Sequence, residues 1–189
     1  MFKIFTPTDW SFVTSGGAEI TYGFAKFLYA GAAGGAFYAR RGVTGPIQRL
    51  PYRAIAGGVG AGVSVAGPVT TSISLPFAPG GGFRIYRNPL RTSALVLEDF
   101  KGSFIQISGG LGAFVYNRNV SLLVFGAPPW VIRTFSIGNP GVQLPLLMAT
   151  CEGVGALWGS AVTSAASVGV EVYSGEILTT MLAAAGETG

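Results

Sequence analysis

The stretch FIQISGGLGAFVYNRNVSLLVFG, Phe104–Gly126, decides how the chain folds. Both arms are rich in the β-branched and aromatic residues that fill strands. Asn117-Arg118-Asn119 between them reads as the turn of a hairpin. The first arm carries a glycine step, Ser108-Gly109-Gly110-Leu111-Gly112-Ala113. Related steps stand at Ala56-Gly57-Gly58-Val59-Gly60-Ala61 and at Glu152-Gly153-Val154-Gly155-Ala156. Alternate residues of a strand share a face, so Gly58/Gly60, Gly110/Gly112 and Gly153/Gly155 each make a patch without side chains. Such patches suit the corners of a tightly curved barrel, a groove emptied for a ligand or lipid tail, or flat packing against a subunit or membrane.

Outward from this hairpin the chain alternates short apolar runs with Gly/Pro punctuation. Strands are expected at Met1–Phe5 (ended by Pro7-Thr8-Asp9), Tyr52–Ala66, Val69–Leu75, Phe83–Arg87, Ala94–Phe100 and Val131–Ile137. Val142–Ser160 and Ala165–Tyr173 read as a closing strand pair after the turn signal Asn139-Pro140-Gly141. Thr14–Gly17, Gly42–Pro51 and Pro76–Gly82 read as connections, the last as the most mobile. Ala18–Arg41 fits either a strand pair turning near Gly31–Gly35 or a helix with Gly-x-x-x-Gly spacing. Each interior glycine costs a helix about 1 kcal/mol relative to alanine, which favours strands. Ser174–Ala185 is compatible with a short terminal helix, with Gly186 just past its end. No linker divides the 189 residues. The expectation is one all-β domain over 1–189, a Gly-rich, mainly antiparallel closed barrel or sandwich.

Composition narrows the function. Hydrophobic residues make up 49% and charged residues 11%, against about 25% charged in ordinary domains. A chain of this balance folds, inserts or assembles, and disorder is excluded. Its 30 glycines follow no Gly-X-Y period, which excludes collagen. The N-terminus lacks the apolar core of a signal peptide, and no run reaches the roughly 20 apolar residues of a membrane-spanning helix. Cytoplasmic residence or export by a signal-independent route follows as the expectation.

The charge is lopsided. Lys26, Arg40, Arg41, Arg49, Arg53, Arg84, Arg87 and Arg91 occupy a stretch without one acid, whereas after Arg133 only Glu152, Glu171, Glu176 and Glu187 are charged. Such asymmetry marks either an anionic partner or two halves that pair across the fold.

Catalytic machinery is scarce. There is no histidine, hence no Ser-His-Asp triad, no Cys-His pair and no imidazole metal site. No phosphate loop is present, and no metal or cofactor is expected. Cys151 stands alone and reads as a small buried apolar residue. Glu98 and Asp99 are neighbours and would point to opposite faces of a strand. A distant carboxylate pair, Glu98 with Glu152 or Glu171, is the remaining enzymatic option. The balance points away from an enzyme.

What stands out is arginine interleaved with aromatics, a mixture suited to a membrane surface. The leading expectation is a non-enzymatic protein that binds an anionic, apolar partner, most simply a lipid or membrane surface, as a secreted effector or toxin-like protein could. Arg40, Arg41, Arg49, Arg53, Arg84 and Arg87 would supply charge, and Trp130 and Phe125, beside Pro128-Pro129, the apolar anchors. The alternatives are a subunit that forms a homo-oligomer through Gly-rich strands, and a small barrel holding an apolar ligand. Nucleic acid is disfavoured by the low lysine content and the absence of a known motif. A full transmembrane β-barrel is disfavoured because Leu122–Phe125 is continuously apolar instead of alternating.

Overall fold

The computed structural model describes residues 5–25, 28–61, 68–75, 83–113, 116–137, 140–161, 168–178 and 181–182. Side chains are described for 5–13, 15, 30–55, 57, 83–107, 121–134, 143–156 and 172–178. Among the described residues ten strands are present: β1 Thr6–Ala25, β2 Leu28–Arg41, β3 Ile47–Ala61, β4 Pro68–Leu75, β5 Phe83–Arg87, β6 Gly102–Ala113, β7 Tyr116–Phe125, β8 Gly153–Ala161, β9 Val168–Ile177 and β10 Met181–Leu182. Two helices, α1 Pro129–Ile137 and α2 Pro140–Thr150, stand between β7 and β8.

Eight strands close an antiparallel barrel in the order β1-β2-β3-β9-β6-β7-β8-β5 and back to β1. Closure depends on β9, which pairs along its whole length with β3 on one side and β6 on the other. The strands are staggered, as closure requires. A cross-strand row that leaves β1 at Ile20 runs through Ala32, Ile55, Ser174, Ile105, Val124, Val154 and Tyr86, and re-enters β1 at Pro7. β4 continues β5's edge of β1, pairing residues 15–22 where β5 pairs 6–12, and β10 pairs with Arg49 and Gln48 of β3.

The barrel has two cores, one on each side of its wall. Inside, Phe12, Phe37, Phe100, Phe104 and Phe125 are fully buried with Leu50, Ile85, Leu123 and Ile177. Ring pairs at preferred offsets bind this end together, with Phe37 stacked on Tyr52 at 4.5 Å and Phe100 on Phe125 at 4.7 Å. Each such pair adds about 0.5–1.5 kcal/mol beyond its burial. The segment 88–101 crosses the end of the barrel and drops Leu95 and Phe100 into it. Trp10 Nε1–H donates to Leu95 O at 3.0 Å, Arg87 to the Thr92 and Ser93 carbonyls, and the Asp99 carboxylate accepts from Val96 N–H at 2.8 Å. Outside, Ile105, Val124 and Val154 are buried beneath Val131, Ile132, Leu147 and Cys151 of the helical segment.

This double coverage explains Leu122–Phe125. Leu123 and Phe125 lie inside the barrel, while Leu122 and Val124 lie outside under the helices. The continuous apolar run is therefore an alternating strand whose two faces are both covered, and the objection it raised to a membrane barrel falls.

Several local expectations are corrected. Ala18–Arg41 does form strands, but the chain reverses between Ala25 and Leu28, with Gly31–Gly35 inside β2. Likewise the β6–β7 hairpin reverses between Ala113 and Tyr116, and Asn117-Arg118-Asn119 lie within β7 opposite Gly112, Leu111 and Gly110. Pro7-Thr8-Asp9 does not end a strand; β1 takes it in at an irregularity opposite β5, where Thr8 Oγ1 donates to Ile85 O at 2.6 Å. Thr14–Gly17 also belongs to β1. Ala94–Phe100 is a loop ending in a 3₁₀ turn, Leu97–Phe100. Val131–Ile137 is helical, as is all of 142–150, and β8 and β9 pair with other strands and not with each other. In place of the terminal helix, Ser174–Ile177 completes β9 and residues 181–182 form β10. Met1–Ile4 and Pro76–Gly82 lie outside the described residues.

The third glycine step is a packing device. A Cβ at Gly153 would meet Phe125 Cζ at 2.6 Å and Tyr86 O at 2.8 Å, and one at Gly155 would meet Phe12 Cε2 at 2.5 Å. The bare patch is filled by the protein's own rings, so no ligand groove exists there. Overpacking of this kind costs about 1–3 kcal/mol, and each kcal/mol lowers Tm by about 2–4 °C at this size. Gly153→Ala is therefore expected to lower Tm measurably in a thermal melt, and an unchanged Tm would contradict the packing described.

Candidate functional site

The register exposes a reversal of polarity along the barrel. Cross-strand partners share a face, and the burial of Ile105, Val124 and Val154 under the helices marks the outer one. On β3, β9, β6, β7 and β8 the first outer row is Ile55, Ser174, Ile105, Val124 and Val154. Two residues further comes Gly57, Val172, Ile107, Leu122 and Ala156, then Val59, Val170, Gly109, Val120 and Trp158. None of these fifteen positions is charged. On β2 the rows continue through Ala32, Ala30 and Leu28.

The interleaved inner rows show the opposite trend. Ala56, Tyr173, Gln106, Leu123 and Gly155 are followed by Gly58, Glu171, Ser108, Ser121 and Leu157, and these by Gly60, Gly169, Gly110, Asn119 and Gly159. These rows are aromatic at one end and rich in glycine and polar residues at the other. The change begins where Gln106 Nε2 donates to the buried Ser121 Oγ at 3.4 Å. A water-soluble barrel keeps apolar residues in and polar residues out, and the glycine-rich half does the reverse. Three places depart from this. The next outer row, Ala61, Val168, Leu111, Arg118 and Ser160, carries a charge at Arg118 of β7. Ser72 and Thr70 of β4 share the outer face with Ala18 and Ile20 of β1, and Arg84, two residues from Tyr86 on β5, is exposed.

The predicted arginines do not gather into one site. Arg41 pairs with Asp9 at 2.6 Å and Arg53 with Glu176 at 3.1 Å, all four side chains being well exposed. Arg87 holds the 92–93 carbonyls. Arg40 and Arg49 are half-buried, and Arg84 is exposed. The basic and acidic halves of the chain do meet, through Arg53–Glu176 and through Arg91–Glu152 at 2.9 Å. Exposed pairs of this kind contribute about 0–1 kcal/mol, so they align strands more than they hold them. Of the two predicted anchors, Trp130 is 56% exposed on α1. Phe125 is fully buried against Phe100 and is not available to any partner.

Around Cys151 the structure builds a support for α2. Burial pushes its thiol up to about 11, the nearby Asn88 amide acting more weakly in the other direction. Asn88 is itself buried, and its Nδ2 lies 2.9 Å from Met148 O, 3.3 Å from Ala149 O and 2.8 Å from Cys151 O. These are the carbonyls a helix leaves unpaired at its C-terminus. Its Oδ1 accepts from Leu90 N–H at 3.0 Å, so one side chain fastens the 88–101 segment to the end of α2. Beside it, burial raises the Glu152 pKa, with Arg91 opposing. Glu152 is thus engaged by a cation, and Glu98 and Asp99 sit on a 3₁₀ turn instead of a strand. Among the described residues no group of three metal-ligating side chains forms, and no helix is long and apolar enough to cross a membrane.

Comparison with protein-family models, with curated proteins and with solved structures finds no match. The reading of function therefore rests on the geometry.

Asn88→Ala would leave those carbonyls without their donor. It is expected to cost about 2 kcal/mol, or about 4–8 °C in Tm. A melt unchanged within error would show that Asn88 does not hold α2.

Proposed function

We propose that the protein is a non-enzymatic membrane-binding β-barrel that meets lipid with its glycine-rich half. The reversal of polarity carries this reading: three uncharged outer rows over β2, β3, β9, β6, β7 and β8, against rows of glycine and polar residues between them. The connecting sequences at that end point the same way. Residues 62–67 (GVSVAG), 114–115 (FV) and 162–167 (VTSAAS) contain no charge and 26–27 (KF) carry one, Lys26, where hairpin tips facing water would be more polar.

Magnitudes favour insertion over spanning. From the Ile55 row to the Val59 row, the last without a charge, is four residues, about 13 Å along a strand at ~3.3 Å per residue. At a strand tilt of ~40° this is a depth of about 10 Å, a third of a hydrocarbon core of ~30 Å. The belt fits within one leaflet.

The same rows support a second reading, a homo-oligomer that buries them between copies. Flotation with vesicles and light scattering in detergent-free buffer separate the two. Insertion predicts flotation with vesicles containing anionic lipid and a monomer in buffer. Lysine at Val59 and Val170, neighbours in one outer row, should weaken flotation, since a cation on the lipid face of a barrel costs up to about 2–4 kcal/mol at the bilayer midplane and less towards the interface. A sharp oligomer that does not float would select the assembly reading.

A further inference from the structure

Resting on the membrane reading above, we infer that the helix pair α1–α2 is an interfacial element that binds the anionic headgroup region and sets how deeply the barrel enters. The inner side of the pair is accounted for: Val131, Ile132, Leu147 and Cys151 cover Ile105, Val124 and Val154, with Ile107 and Leu122 packed against the same cluster. Those strand residues belong to the first two outer rows, at the shallow end of the belt. The helices therefore stand where the barrel wall would leave the hydrocarbon.

The outer side of the pair has the chemistry of that boundary. Trp130 is 56% and Leu146 39% exposed, and Pro129, Arg133 and Pro145 are exposed as well. Trp130 and Arg133 are three residues apart on α1 and so lie on one side of it. Tryptophan prefers the interface, and arginine reaches from there to phosphate. Between Gly126 and Cys151 Arg133 is the one charged residue in the sequence. That composition argues against a second copy as the occupant. In a two-fold contact the same patch faces itself, which would bring Arg133 towards Arg133 with no carboxylate on either α1 or α2. An anionic lipid surface offers the missing charge.

The test is Leu146→Cys carrying an environment-sensitive fluorophore, mixed with vesicles of phosphatidylcholine and phosphatidylglycerol. Cys151, buried and with its thiol pushed up to about 11, stays protonated and unlabelled at neutral pH. The expected result is a blue-shifted, brighter emission on vesicles, together with about fivefold weaker partitioning of Arg133→Gln on anionic vesicles and no change on neutral ones. Protein that floats while the label at 146 stays water-like would overturn the inference and leave the barrel reading standing. Absence of flotation would overturn both. A blue shift that grows with protein concentration in buffer alone would assign the face to a second copy and overturn it as well.

Discussion

Alternation along a strand allows each cross-strand row only one side of the wall, and the whole structure follows from how this chain distributes polarity between the two sides. At one end the inner rows carry Phe12, Phe37, Phe104 and Phe125 and close over a packed interior. At the other the same set of rows runs through Gly60, Gly169, Gly110, Asn119 and Gly159, while Val59, Val170, Val120 and Trp158 stand in the alternate rows. Between these regimes Leu122–Phe125 is apolar on both faces, and the structure covers both. The helices sit where the two regimes overlap. They shield from water outer positions whose apolar character continues towards the glycine-rich end.

The aromatic end supplies the fixed point. An interior filled by large rings resists collapse, and the 88–101 segment seals it through Phe100, Leu95 and the Trp10–Leu95 hydrogen bond. Asn88 ties that segment to α2, so the plug, the helices and the outer cluster form one connected unit. The glycine-rich end has no comparable set of large inner residues in its rows. Its stability in water has to come from backbone pairing, whereas in lipid its outer rows gain about 25 cal/mol for each Å² removed from water.

Much of the architecture was legible in the sequence, and the reasons for the rest are physical. FRIYR at Phe83–Arg87 and the alternating run before Leu75 fold as strands because their local pattern and their surroundings agree. Turn chemistry misled at Asn117-Arg118-Asn119 because register, set by pairing with β6 and β8, overrode local preference. The β-branched run at Val131–Ile132 suggested a strand, yet Pro129 opens a helix there, the first helical position being one that proline favours. Pro140 does the same for α2. The insertion of β9 between β3 and β6 is a long-range choice that no local period announces. For the same reason the candidate site stayed hidden. Each glycine step was visible alone, whereas the outer belt exists only once the register stacks Val59, Val170, Gly109, Val120 and Trp158 in one row. The arginines were visible too, but the acids that occupy Arg41 and Arg53 lie far off in sequence.

The central claim is that β9 presents alternate residues to lipid. Spin labels placed singly at residues 168, 169, 170 and 171 of vesicle-bound protein would test it, by comparing collision with oxygen, which enters lipid, and with a water-soluble nickel chelate. The account predicts a period of two, with 168 and 170, partners of the outer-face Ala61 and Val59, in contact with lipid. Residues 169 and 171, partners of Gly60 and Gly58, should be shielded from it. Equal accessibility at all four positions, or the opposite alternation, would contradict the account.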